Sequence, residues 1–489
     1  MSDKPLYITT TLPYVNARAH VGTALELIQA DVVARMARAT GRQVFFNTGA
    51  DEHGQKIWEK AQAEGKDTQE YVDYFAGELQ QLREPLGISN DAFIRTTDPA
   101  HKKAAREIWR RAQENGDIYK KKYKGLYCVS CEMFLAEKDL VDGRCANHPD
   151  QEPIELEEEN YFFAFSKYQE RLLEYLDQPG VIVPEFRRQE AINFVKGGLE
   201  DFSISRQKER MAWGIPVPDD EGHVMYVWFD ALTNYISTLG WPDETGDFAT
   251  FWMGGERLQM AGKDQVRFQS LMWQAMLMSA GVPTTDRVFY HGFITSGGHK
   301  MSKSIGNVID PLQLVERYGT DALRYYLLRH IHPTDDSDMT LEKFHEAYTA
   351  HLVNGLGNLV SRVLNMAEKY GVTWEMLGSF EELWQNAHTG ERLPVLTETF
   401  AFQGMMDAVW EVVSNLDKRI DEEKPFTVAK TDQPAAAQLV AGYVKGLVML
   451  TRELQPILPE TAQHMEQAIK ALAKPTNPLF PRLELFELD

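Results

Sequence analysis

The chain has 489 residues, more than one hydrophobic core usually serves, and points to about three structural units. Hydrophobic residues at 43% and charged residues at 25% are ordinary for a globular enzyme, and nothing approaches the roughly 18 unbroken apolar residues of a membrane span. A net charge of −21 argues against a protein that coats itself in nucleic acid, so any nucleic-acid partner must meet a local concentration of Lys and Arg.

The first residues lack an apolar signal core and run directly into Tyr7-Ile8-Thr9-Thr10-Thr11, a β-branched and aromatic strand. A cytoplasmic protein with no membrane partner is the expectation. After a Pro-Tyr-Val-Asn turn, Leu25, Ile28, Val32 and Met36 fall on one helix face. A second strand, Gln43 to Thr48, ends at Gly49 before Asp51-Glu52-His53-Gly54. Strand, helix, strand is the pattern of a doubly wound, Rossmann-like α/β domain with a parallel sheet.

From about Asn115 the pattern turns loop-rich, then acidic at Glu155 to Glu159. Alternation resumes near His223-Val224-Met225-Tyr226-Val227-Trp228, and Arg287 to Tyr290 reads as a further strand. The expected organisation is a catalytic domain in residues 1–115 and 223–293 interrupted by an insertion at 116–222. A loop region at 294–345 and an all-α bundle at 346–489 follow. In the bundle, Phe402, Met405, Met406, Val409, Val413, Leu416 and Ile420 keep helical spacing until Pro425. A second stripe runs through Leu439, Tyr443, Leu447, Leu450 and Leu454. The chain stops soon after it, so a monomer is expected.

The three cysteines lie in Cys128-x2-Cys131-x13-Cys145-x2-His148, and an odd number cannot close a disulfide framework. Two close pairs separated by a loop suit tetrahedral zinc, and four protein ligands leave no open coordination position. One structural zinc is expected; a reduced, metal-free knuckle is the alternative.

Two separated elements carry the chemistry. His20-Val21-Gly22-Thr23 stands where the first helix begins, with free backbone N–H groups and a positive dipole end suited to ATP phosphates. His20 can donate to a phosphate oxygen, and Gly22 lets the backbone approach closely. Alone, that tetrapeptide is more often a helix-capping turn. The second element, Lys300-Met301-Ser302-Lys303-Ser304 after Gly297-Gly298, offers two cations on a loop for a developing pyrophosphate.

Together these resemble the HIGH and KMSKS signatures of the class I aminoacyl-tRNA synthetases. The second is matched letter for letter; in the first, Thr23 stands where the family has its second histidine. Within that class the resemblance is to the methionyl-tRNA synthetases and covers essentially the whole chain. Thr11-Leu12-Pro13-Tyr14, Thr48 to Gly54, Tyr226 to Ala231 and Gly262-Lys263-Asp264 stand in family order. The resemblance implies a methionine pocket walled by Leu12, Tyr14, Trp228 and Tyr235, with Asp51 on the substrate ammonium. Glu26, Gly262 and Asp264 would contact the adenosine of ATP. Lys300 and Lys303 would act on its phosphates and Arg206 near the reacting groups. Gln269 stands where the family often has histidine and Leu232 where it has proline, which alters the pocket rather than the reaction class. Asn358 and Arg362, four apart on a helix, match the family's anticodon pair, and Phe426 replaces its stacking tryptophan. The resemblance implies methionine, magnesium-bound ATP and tRNA(Met) as partners, and a zinc knuckle in the insertion. A paralogue that activates an amino acid without charging tRNA is the rival reading.

Overall fold

The computed structural model describes residues 3–16, 18–129, 133–135, 140–146, 150–301, 307–387 and 392–485. Its centre is a parallel sheet built around β1 (Leu6–Thr10). On one side lie β2 (Val44–Ala50) and then β3 (Ala92–Arg95); on the other lie Glu256–Gly262, Arg287–His291 and the short Ile182–Val183. Helix α1 (Val21–Ala39) makes the first crossover. Because the chain leaves β1 in both directions across the sheet, the crevice beyond its carboxyl end is a topological switch point, where doubly wound sheets bind ligands.

Both faces of this sheet are covered, as parallel sheets require. Successive side chains alternate between two cores. Leu6, Ile8, Phe46, Met260 and Phe289 enter one, whereas Tyr7, Ala261, Val288 and Tyr290 enter the other. The first core runs on without a break into the helical region, through Leu323, Leu359, Val409 and Leu447. Arg324 is buried at that junction. Its guanidinium donates to Asp31 of α1 at 2.8 Å, to the Ile457 carbonyl at 2.8 Å and to the Leu86 carbonyl at 3.1 Å. One side chain therefore ties the first crossover helix, the loop before β3 and the last helices together.

The expected elements largely occur. The stripe beginning at Phe402 is the buried face of helix Phe402–Glu423, which ends at Lys424 immediately before Pro425. The second stripe lies on Gln433–Leu454, although Leu439 is only half-buried. The His223–Trp228 stretch differs: its strand is Asp220–Met225, and it belongs to a small antiparallel sheet rather than the parallel one. Tyr226 then starts a one-turn helix, Val227–Ala231, that carries Trp228. The strand Glu256–Gly262, which pairs directly with β1, was not foreseen, nor was Ile182–Val183, which brings part of the expected insertion into the parallel sheet.

In the insertion, the Lys-rich strand Ile118–Cys128 pairs antiparallel with Ile154–Phe163, so the acidic run at Glu155 to Glu159 faces its lysines. Lys122 stands opposite Glu159 and Lys124 opposite Glu157. Opposite charges across strands favour this register. Among the described residues no helix is long and apolar enough to cross a membrane.

Candidate active site

The switch point holds a cleft of about 330 Å³. Thr11 and Pro13 reach it from the end of β1, His20, Gly22, Thr23 and Glu26 from the start of α1, and Gly262 and Asp264 from the end of the neighbouring strand. All six residues expected to meet ATP outside the lysine loop thus line one cavity. His20 caps α1: the Gly22 N–H donates to its Nδ1 at 3.0 Å. With Nδ1 accepting, a neutral ring carries its proton on Nε2, the nitrogen that can donate. A Cβ on Gly22 would stand 2.7 Å from His20 Cε1, and one on Gly262 the same distance from Asp264 Oδ1. A side chain at either position would therefore displace the His20 ring or the Asp264 carboxylate from the wall.

The lining residues missed by sequence reasoning include His291 and Phe293. Glu26 joins the sides of the cleft, its Oε1 accepting from Thr11 N–H at 2.6 Å and its Oε2 facing His291 Nε2 at 2.9 Å. His291 Nδ1 faces the Gly292 carbonyl at 2.8 Å. Burial disfavours a charged ring, but the Glu26 carboxylate outweighs it and raises the His291 pKa. A histidine closing a strand and followed by glycine was the only sequence signal.

The lysine loop leaves this cleft. Ile294–Ser296 pairs antiparallel with His299–Lys300 through Gly297 and Gly298, both at positive φ, the turn a two-residue hairpin favours. Met301 lines the cleft, while Ser302, Lys303 and Ser304 lie outside the described residues.

The residues expected around methionine lie beside the cleft. Asp51 pairs with the segment after β1: its N–H donates to Pro13 O at 3.0 Å, and its carbonyl accepts from Val15 N–H at 3.1 Å. That bridge sets Tyr14 beside Asp51. The Gln269 amide donates to the Tyr235 hydroxyl at 2.8 Å and to Thr11 Oγ1 at 3.4 Å. Trp228 stacks on Phe268, the neighbour of Gln269, with centroids 3.9 Å apart. Leu12 and Leu232 are buried. These residues make up the candidate amino-acid niche: aromatic side chains and a carboxylate are the groups that a thioether amino acid with a free ammonium group requires.

Behind this niche Asp230 is fully buried, with one oxygen 2.6 Å from His53 Nδ1 and the other 2.7 Å from His101 Nε2. Burial opposes its ionisation, but the two histidines prevail and hold its pKa down to about 2.

Arg206 is buried away from the cleft lining. It donates to Ser203 Oγ at 3.0 Å and to its neighbour's carbonyl at 2.7 Å, and lies over the Tyr226 ring at 4.7 Å. Its link to the niche runs through Tyr226, two residues before Trp228.

Cys128 and Cys145 are both buried and pack with Leu135 in a small core of their own. Two thiols brought together from the ends of separate strands fit half of the expected zinc quartet. Cys131 and His148 lie outside the described residues, and among the described residues no group of three metal-binding side chains forms.

In the bundle, Asn358 is exposed and Arg362 meets Asp421 at 2.7 Å. Phe426 is 46% exposed just beyond the helix carrying Asp421, so the expected anticodon trio stands at one end of the bundle.

The family described as tRNA synthetases class I (M) matches residues 6–152 and 138–364. A methionine–tRNA ligase of Thermotoga maritima is 39% identical, covering 96% of this chain and 76% of its own. That of a Nostoc species is 40% identical over 96% of this chain and 90% of its own. The solved methionyl-tRNA synthetase of Mycobacterium tuberculosis in complex with methionyl-adenylate superposes with a TM-score of 0.88 at 36% identity, covering 98% of this chain and all of that one. The chain belongs to the methionine-specific class I tRNA synthetases, the methionine–tRNA ligase family.

Proposed function

We infer that the chain activates methionine with ATP and transfers it to the terminal adenosine of tRNA(Met). The observation that carries this is the Gln269 amide, which donates both to Tyr235 and to Thr11 of the His20–Asp264 cleft, so that the candidate methionine residues adjoin the nucleotide cleft beyond the end of β1. A nucleotide in the cleft and an amino acid beside it would meet at the switch point.

In the first step a methionine carboxylate oxygen attacks the α-phosphorus of ATP and pyrophosphate leaves. Asp51 would hold the ammonium, and the rings of Tyr14, Trp228 and Tyr235 the thioether. Glu26, Gly262 and Asp264 would hold the adenosine. His20, donating through Nε2, with Lys300 and Lys303 of the loop, would stabilise charge on the phosphates in the transition state, alongside the magnesium that accompanies ATP. No covalent enzyme intermediate is needed. The adenosine hydroxyl of tRNA then attacks the adenylate carbonyl and AMP leaves.

Cys128, Cys131, Cys145 and His148 would hold a structural zinc that folds the insertion tip. Asn358, Arg362 and Phe426 would read the anticodon by hydrogen bonding and stacking. The exposed Phe426 ring supports this assignment.

The lysine assignment is tested by Lys303→Ala in methionine-dependent ATP–pyrophosphate exchange. Adenylate formation should slow severely with methionine affinity little changed; an unimpaired exchange rate would refute the role.

A further inference from the structure

The buried Asp230 grips three segments. One oxygen takes His53, just past the end of β2; the other takes His101, in helix Pro99–Glu114; and His101 Nδ1 continues to Ser237 Oγ at 2.9 Å. All four side chains are buried. A buried ionic cluster of this kind is poor at adding stability, since apolar residues of similar volume often do as well. What it supplies is direction, because each ring nitrogen must meet one particular oxygen.

The placement of the members gives that direction a purpose. His53 lies two residues after Asp51, Asp230 two after Trp228, and Ser237 two after Tyr235. In the one-turn helices Val227–Ala231 and Asn234–Ser237, residues two apart point to roughly opposite sides, which sets Asp230 behind Trp228 and Ser237 behind Tyr235. The cluster therefore anchors those two helices on the side away from the candidate wall residues, and at His53 it fixes the backbone two residues beyond Asp51. The same segments have little else in common: one follows a strand of the parallel sheet and two are one-turn helices.

We propose that Asp230, with His53 and His101, is a positioning hub that fixes Asp51, Trp228 and Tyr235 relative to one another and so sets the affinity for the amino acid but not for ATP. This rests on the reading that those three residues wall the methionine niche. The nucleotide cleft is framed by different contacts, chiefly Glu26 with Thr11 and His291, which the hub does not touch.

The test measures KM for methionine and for ATP in pyrophosphate exchange, on full-length protein with active sites titrated. Asp230→Asn and His101→Leu should raise the methionine KM between about tenfold and a hundredfold, the range expected when a binding group shifts by about an ångström, and leave the ATP KM within about twofold. His101→Gln, whose amide can still donate to Asp230, should stay near the parent. If Asp230→Asn does not fold, the two His101 variants decide the matter. Unchanged methionine KM in His101→Leu, equal movement of both KM values, or no difference between the leucine and glutamine variants would overturn the hub. Trp228→Ala separates the premise: if it too leaves the methionine KM unchanged, the niche reading fails and the hub with it. If it raises that KM while His101→Leu does not, the hub alone is wrong.

Discussion

Replacing Glu26 with Gln should lower stability in a way that depends on pH. In the parent, Glu26 accepts from Thr11 N–H and faces His291, whose other nitrogen faces a carbonyl. Both partners of the ring are acceptors, so the ring makes both bonds only as the doubly protonated imidazolium. Glutamine keeps the shape and an acceptor for Thr11, but it removes the charge, and the ring becomes neutral. A hydrogen bond between charged groups contributes about 1.5–3 kcal/mol and a neutral replacement about 0.5–1.5, a difference of about 1–2 kcal/mol. The sign follows from the raised pKa of His291. A group whose folded pKa exceeds its unfolded value stabilises fully below the unfolded value, about 6.5, and loses that contribution as pH rises through the folded one. Parent and variant should therefore differ by about 1–2 kcal/mol near pH 6 and by less at about pH 9, the gap narrowing as pH rises through the raised folded value. Urea unfolding at both pH values measures this, read on the first transition because the chain has more than one structural unit. An equal gap at both would refute the charged pair.

Three other outcomes are expected. Arg324→Met should destabilise by about 1–3 kcal/mol in urea unfolding, because it strands the carbonyls of Ile457 and Leu86, while Asp31 keeps Arg35 and Ser89; a loss under about 0.5 kcal/mol would contradict the junction described here. Arg362→Ala breaks only partly exposed ion pairs and should cost under about 1 kcal/mol, yet raise the KM for tRNA at least about tenfold while pyrophosphate exchange stays unchanged. Cys145→Ser should take bound zinc from about one ion per chain towards none by elemental analysis and lower the melting temperature; retained stoichiometric zinc would remove Cys145 from the ligand set.

Sequence periodicity served well where an element buries one face. The stripe from Phe402 to Ile420 lies on helix Phe402–Glu423, and the spacing of Leu25, Ile28, Val32 and Met36 on α1, whereas β1 was legible from its β-branched and aromatic composition. Periodicity failed on Glu256–Gly262, where Arg257 and Gln259 interrupt the apolar pattern. Gln259 is buried because Thr285 donates to it, a tertiary partner that no local pattern reveals. Of the six nucleotide-cleft candidates, His20, Gly22 and Thr23 were legible at the start of a recognisable helix, whereas Glu26, Gly262 and Asp264 were legible through the family resemblance. His291 was not, since its role depends on Glu26, far away in the chain and reached only when the strands assemble. The same holds for Asp230: the sequence displays Asp51-Glu52-His53 and Phe229-Asp230-Ala231 as separate signals, and only packing brings them within 2.6 Å. Trp228 was read onto the wrong element, because a strand ending at Met225 and a helix starting at Val227 give one continuous apolar run.

The central claim is that this cleft and niche together charge tRNA with methionine. Aminoacylation of bulk tRNA by the purified chain, with radiolabelled methionine set against leucine, isoleucine and cysteine, tests it most directly. Charging with methionine alone is the predicted result. Charging with another of the four, or methionine-dependent pyrophosphate exchange without any charging of tRNA, would contradict it.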